Sequence, residues 1–542
     1  MFQKQYRMMA VLCALVLCVT ACGSAAERGN AAKAVAKEPE KTSDTSELFS
    51  DRDLSGSYDA AACDSIMLSD TGCTADSKNV TIDGSVVTIT GEGDYILKGA
   101  LSDGRIVVDV DKSEKVQLVL DGVDLTSKTS AAIYVKKADK VFVTLADGTK
   151  NTLENGGTFE AVDDNNIDAV IFSKDDLTLN GTGELVLHSP AGHGIVSKND
   201  LVVTGGTYEI TAASHGITGK DSVAVADGDF HITAGKAAVK SVNDDDMTQG
   251  NVTITGGTFA LSAGSDGINA LNEIHILDGR IVVEESNEGL EARVIRLSGG
   301  EIEITAQDDG LNATDKRTEA GADTETEKPD SNAQKHGTKP DVGAAADFSR
   351  DLPRGGMGQS HPEASIHISG GVIQIDAEGD GVDSNGYFYM SGGALYVAGS
   401  SHGGDSALDY DIEASISGGI VVAAGQSSMA QNFGEGSTQG AVLVNTSAQN
   451  AAGSDIILLD SEGKEFLAWT MQKSYNSVVI SAPEIKAGNS YTVKTGDIST
   501  AVTMEGLLYG TPASGDQPGR FTDRLHRTEG RKSAGGGAKR QD

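Results

Sequence analysis

Between Leu201 and Ala424 the chain repeats one phrase. Two alternating apolar residues lead to a Gly-Gly or Asp-Gly corner, two more alternate after it, and then comes a small residue followed by an aliphatic one. Corners begin at Gly205, Asp227, Gly256, Asp278, Gly299, Gly370, Gly392 and Gly418, mostly 21 to 29 residues apart. The second marker keeps the same beat, at Gly194-Ile195, Gly216-Ile217, Ala238-Val239, Gly267-Ile268, Gly289-Leu290, Gly310-Leu311, Gly381-Val382 and Ala407-Leu408. Three short strand patterns in a unit of about 22 residues, with no helical period, predict one coil of a parallel β-helix. In such a stack each position lies directly above its equivalent, so a polar residue repeated at one phase becomes a column.

The alternation names the interior. After each corner the second and fourth residues should face inward, as in Tyr208/Ile210, Phe230/Ile232, Phe259/Leu261 and Ile302/Ile304. Before the corners Val252/Ile254, Ile274/Ile276 and Ile366/Ile368 do the same, with Thr253, His275 and His367 facing out. Looser versions of the pattern put the first coil near residue 80, after a cap over 51–79, and the whole β-helical domain over 51–430. A polar, low-complexity stretch over 313–362 interrupts it and is expected to be a disordered excursion. Residues 431–510 carry strand patterns suited to a small β module, and 511–542 form a Gly- and Arg-rich disordered tail.

Sixty-seven glycines, 5% aromatics and a net charge of −36 describe an acidic, turn-rich, all-β chain. That charge repels nucleic acid and favours cations or ligands that cations bridge. At the N-terminus Lys4 and Arg7 precede an apolar run from Met8 to Val19, too short to span a bilayer. Val19-Thr20-Ala21-Cys22 has the small-residue pattern of a bacterial lipobox. Residues 1–21 are therefore expected to be a lipoprotein signal peptide, Cys22 the lipidated residue, and 22–50 a disordered tether. These place the protein on the extracellular face of a bacterial cell membrane, held by its lipid alone. Cys63 and Cys73 are then the remaining pair, able to form a disulfide or to serve as two small apolar residues.

The chemistry concentrates beside the second marker. The residue before its glycine is Asp266, Glu288, Asp309 and Asp380 in successive coils, and two residues beyond stand Asn269, Glu291, Asn312, Asp383 and Asp409. Adjacent strands lie about 4.8 Å apart, twice a calcium–oxygen distance of about 2.4 Å. A calcium ion between stacked carboxylates would relieve their repulsion. Asp-Gly and Asn-Gly are also good turn formers, but corners alone do not require oxygen ligands two residues further on. Two loops add acidic clusters, Asp163-Asp164-Asn165-Asn166-Ile167-Asp168 and Asn243-Asp244-Asp245-Asp246, neither with EF-hand spacing. His193 and His215 share the phase of the acidic column, but no third histidine or cysteine joins them as a transition-metal set. A polysaccharide lyase would need a lysine or arginine base beside the metal. Lys198 and Lys220 stack at one phase with Lys240 near by, ahead of the acidic coils, where they read as a surface stripe neutralising acids.

Several stretches resemble one family, the surface lipoproteins of clostridia and related bacteria called carbohydrate-binding domain-containing proteins. They are LVLDGVDLTSKTSAAIYVKKADKVFVTLADGTKNTL (118–153), AVIFSKDDLTLNGTG (169–183), GIVSKNDLVVTGGTYEITA (194–212), GITGKDSV (216–223) and KSYNSVVISAP (473–483). The resemblance implies a right-handed parallel β-helix of pectate-lyase-like fold, calcium sites, and binding to plant polysaccharides, especially acidic ones, without catalysis. The family's Gly-Asp-Gly-Ile-Lys is replaced here by Gly235-Lys236-Ala237-Ala238-Val239-Lys240, and His193 and His215 stand where Asp or Asn is usual. By resemblance, metal roles carry over to Asp244, Asp245, Asp246, Asp266, Asp308 and Asp309; the column itself adds Glu288, Asp380 and Asp383. The expected protein is a monomeric, calcium-loaded binder of a pectin-like polysaccharide, with no sugar-contacting residue identifiable. A calcium-dependent polysaccharide lyase and a non-binding structural or adhesin rod are the rival readings.

Overall fold

The computed structural model describes residues 48–160, 162–163, 165–316 and 360–510. The signal peptide, Cys22, Asp164, most of the predicted tether and excursion, and the C-terminal tail lie outside the described residues. Helix is nearly absent from the described part, where Asp51–Leu54 forms one short turn capped by Ser50. No helix there is long and apolar enough to cross a membrane.

Every coil contributes strands to three parallel ladders. In the ladder before the corner, the register runs Val223↔Val252↔Ile274↔Ile295↔Ile366↔Phe388. After the corner it runs Tyr208↔Phe230↔Phe259↔Ile281↔Ile302↔Ile373↔Leu395↔Val421. A third, beyond the second marker, runs Ile195↔Ile217↔Val239↔Ile268↔Leu290↔Leu311↔Val382↔Leu408. The fold is thus all-β, with a parallel-stranded sheet wound coil upon coil.

Alternation puts one side of each strand inside. The residues predicted to face inward before and after the corners are at most 2% exposed, from Tyr208 through Ala423. Tyr208, Phe230 and Phe259 stack at 5.0 and 4.5 Å between ring centroids. The second residue of every corner has positive φ, as at Gly257 (φ 95°), a conformation that costs glycine nothing. The marker glycines answer a different need: a Cβ on Gly310 would meet the Gly381 carbonyl oxygen at 2.6 Å and Ile375 at 2.3 Å.

One expectation about the N-terminal region is corrected, and the choice left open for its two cysteines falls on the apolar alternative. The stack begins inside the supposed cap, because Asp64–Leu68 already pairs in parallel with Gly93–Leu101. Cys63 and Cys73 are free thiols. Cys63 packs on Ile96, Val119 and Ala146, whereas Cys73 packs against the main core, so the two are held in different apolar clusters. Just ahead of them the Asp53 carboxylate, 2% exposed, plugs the side of the stack through Lys140 (2.7 Å) and Thr178.

At the other end Ile420–Gly425 is covered by Tyr475–Ser481, antiparallel, which pairs in turn with Ala441–Asn450. A separate four-stranded antiparallel sheet (Ser454–Leu459, Glu465–Met471, Ser490–Thr495, Ile498–Thr503) follows and carries Trp469, 5.9 Å from the Tyr396 ring. The coils flanking the low-complexity segment are direct neighbours: Leu311–Ala313 pairs with Val382–Ser384. The acidic column is therefore continuous in space across the 71-residue gap in corner spacing.

Candidate functional site

Parallel register stacks one position into the column Val196, Thr218, Lys240, Asn269, Glu291, Asn312, Asp383 and Asp409. Its chemistry changes from apolar to basic to acidic along the stack. A neighbouring register pairs Asp266 with Glu288, and the Gly310 and Gly289 amides bond the carbonyls of Asp380 and Asp309 one coil on.

Where the two columns meet, donor oxygens of Asp266, Glu288 and Glu291 all lie within 4.8 Å of one another. Among the described residues they form the one such trio of histidine, cysteine or acidic groups. Glu291 is 2% exposed. Asn269 Nδ2 donates to Glu291 Oε2 (2.6 Å) and Asn312 Nδ2 to Glu288 Oε2 (2.9 Å), while the Lys316 ammonium sits 2.5 Å from Glu291 Oε1. Asn312 Oδ1 is buried without a hydrogen-bond partner. Burial, then the charges of Glu291 and Asp266, push the Glu288 carboxyl up to about 8. An all-oxygen trio at this separation fits a hard cation, since opposed calcium ligands stand about 4.8 Å apart.

A second acidic group lies further along. Burial first, and neighbouring carboxylates second, raise Asp383 to about 9 and Asp380 to about 8. Asp309 rises to about 7 mainly by burial, against the backbone amide of Asp380 that donates to its Oδ1 at 2.7 Å. Asp380 accepts the Ser406 amide, and Asp409 accepts Gln431 Nε2. Among the described residues no lysine or arginine pairs with Asp309, Asp380, Asp383 or Asp409.

Of the remaining predicted ligands, Asp308 stands beside Asp309 and Asp244 lines the same cleft as Asp266, while Asp245 and Asp246 are held by other partners. Asp245 pairs with Lys220 (2.5 Å), and Asp246 accepts the Thr248 amide within its own turn (2.9 Å). Both are exposed, as are Asp244 and Asp308. Asp163 accepts the Tyr134 hydroxyl (2.7 Å) and the Asn165 amide (2.9 Å), so that loop serves its own packing. The His193 and His215 rings lie parallel, 5.0 Å apart. Each Nδ1 accepts a backbone amide of the next coil, His215 N–H at 3.2 Å and Ala237 N–H at 3.1 Å, and burial drives His215 down to about 3.

The basic and acidic parts of the column meet in a cleft of about 450 Å³, lined by Lys236, Lys240, Asp244, Asp266, Glu291 and Lys316 among others. Lys240 Nζ lies 3.2 Å from His215 Nε2. Phase alone puts Glu291 in the acidic column, but Lys316 is invisible from sequence: composition places it in the polar excursion, and no local signal ties it to an acid 25 positions earlier.

The family called "Carbohydrate-binding domain-containing protein" matches residues 83–333 and 286–405. A carbohydrate-binding domain-containing protein of Acetivibrio thermocellus is 43% identical over 128 residues, 23% of this chain. The chain spans 45% of the length of that relative. A solved structure described as that of the polysaccharide lyase-like protein from C. thermocellum, gadolinium derivative, is 36% identical with a TM-score of 0.40. It covers 41% of this chain and 91% of its own. The family matches run through every coil that builds the cleft and take in well over half of the 542 residues, so this chain belongs to the carbohydrate-binding domain-containing protein family.

Proposed function

We propose that the protein binds an acidic, pectin-like polysaccharide through a calcium-loaded face, and that it does so without catalysis. The observation that carries this reading is the cleft, which sets Lys236, Lys240 and Lys316 beside the Asp266–Glu288–Glu291 trio. A uronate chain offers one carboxylate per sugar. Lysine ammonium groups pair with such carboxylates directly, and a divalent ion held by the trio bridges protein acid to ligand acid. The coils supporting the cleft are proposed to wind as a right-handed parallel β-helix, the hand in which parallel crossovers overwhelmingly run. The lipobox motif at Cys22 supports export and tethering to the outer face of the membrane, where calcium is abundant and the rod acts as a monomer.

Retention on polygalacturonate is the test. Binding should be lost in chelator and restored by added calcium. Lys240→Gln should weaken it about tenfold, as loss of one charge-assisted contact of roughly 1.5 kcal/mol implies. Equal retention with and without chelator would reject the calcium bridge.

A second reading rests on one contact. Lys240 Nζ lies 3.2 Å from His215 Nε2 on the wall of the cleft, which puts an amine beside the acidic trio; a lysine so placed is the type of base that removes a proton alpha to a uronate carboxylate in a β-elimination. Unsaturated uronate appearing during incubation with pectate and calcium would favour this lyase reading over binding alone.

A further inference from the structure

The acidic trio already holds a positive charge supplied by the chain itself. Lys316 lies in the first described residues beyond the strand Leu311–Ala313, and its ammonium rests on Glu291 Oε1. The contact is unequal: the Glu291 side chain is 3% exposed, whereas that of Lys316 is 53% exposed. The carboxylate is fixed in the wall of the stack and has no other place to go. The lysine stem borders water, so its ammonium has an open route to solvent, where hydration replaces part of the lost contact.

The chemistry around it is better matched to a divalent ion than to an ammonium. Three carboxylates converge within 4.8 Å, and one ammonium offsets only one of their charges. Asn312, next to Glu291 in the column, has a buried Oδ1 without a hydrogen-bond donor, an acceptor that Lys316 does not satisfy. A metal ion takes oxygen ligands from several directions at once, and a lysine bound by one short contact does not.

We propose that Lys316 is a tethered counter-cation that competes with divalent ions for Asp266, Glu288 and Glu291. Ion entry expels its ammonium into the cleft beside Lys236 and Lys240, which adds a positive group to the surface facing the ligand. The trio thereby keeps a counter-cation in either state, one positive charge from the ammonium or two from the ion, and ion affinity is set by the difference between the two. The proposal rests on the reading of the trio as a divalent-ion site.

Terbium luminescence and calcium calorimetry at pH 7 on the full chain test this, with Glu288→Gln identifying the trio's share of the signal. Lys316→Gln should bind the ion about tenfold more tightly or better, since one competing charge at contact distance is removed. Lys316→Arg should stay within about threefold of the wild type, because its charge remains. The metal-free Lys316→Gln protein should also melt lower than the wild type and gain more from calcium. Lys316→Met, which keeps the apolar stem, replaces the Gln variant if that one folds poorly. Ion affinity in the uncharged variants equal to or weaker than wild type overturns the competition and leaves the ion site standing. Absence of ion binding in every form overturns both.

Discussion

Stripping divalent cations will lower the melting temperature by about 3 °C at pH 8 and by much less at pH 5. One saturated site at a hundredfold excess over Kd contributes about 2.7 kcal/mol, and at about 2.1 cal/mol/K per residue each kcal/mol shifts Tm by only about 1 °C in a fold of this size. The pH dependence follows from the raised carboxyls. Asp383 lies at about 9, Asp380 and Glu288 at about 8 and Asp309 at about 7, all held up first by burial. Each binds its proton more tightly in the fold than in the unfolded chain. Their contribution is therefore present at acid pH, below the ordinary carboxyl range, and is lost as pH rises through about 7 to 9. At pH 5 the protonated acids need no counter-ion; at pH 8 many have ionised and an ion must neutralise them. Thermal melts in EDTA and in calcium between pH 5 and 9 measure this. A chelator effect independent of pH, or greater at pH 5, would reject the coupling between the acids and the ion.

The second large effect lies in the core. Phe230→Ala should cost about 3–5 kcal/mol, the usual range for emptying a buried aromatic site. Phe230 is 1% exposed and stacks on Tyr208 on one side and Phe259 on the other. The cavity would thus lose contacts to both adjoining coils. Ring stacking adds about 0.5–1.5 kcal/mol beyond area burial. Denaturant titration in saturating calcium isolates this term from the acidic face. A loss below about 1 kcal/mol would mean that neighbouring coils collapse into the space. Calcium affinity should be unchanged, because Phe230 lies inside the stack and away from the trio.

Much of the architecture was legible because it is written in short-range periodicity. Alternation around Gly256-Gly257 names Phe259 and Leu261 as interior whatever lies above them, and both are fully buried. The corner glycines are equally local, since their positive φ is a property of the turn itself. Even the acidic column could be drawn up from phase, as Asn269, Glu291, Asn312, Asp383 and Asp409 do align.

What phase could not supply was grouping. Asp245, Asp246 and Asp266 carry the same carboxylate, yet the first two sit on an exposed loop with Asp245 paired to Lys220, and Asp266 faces Glu288 and Glu291. Cys63 and Cys73 are ten positions apart and able to pair as sequence, and each is half-buried against its own apolar cluster. Lys316 looked like the start of a featureless segment, and its ammonium rests on Glu291.

By itself, then, the amino-acid order determined the coil length, the inward residues, the corners and the phase of the acids, since each depends on neighbours within a few positions. Tertiary structure alone decided where stacking begins, which carboxylates converge and which lysine answers them. Those outcomes depend on burial and on side chains meeting across coils, and both arise only when distant segments come to lie one above another.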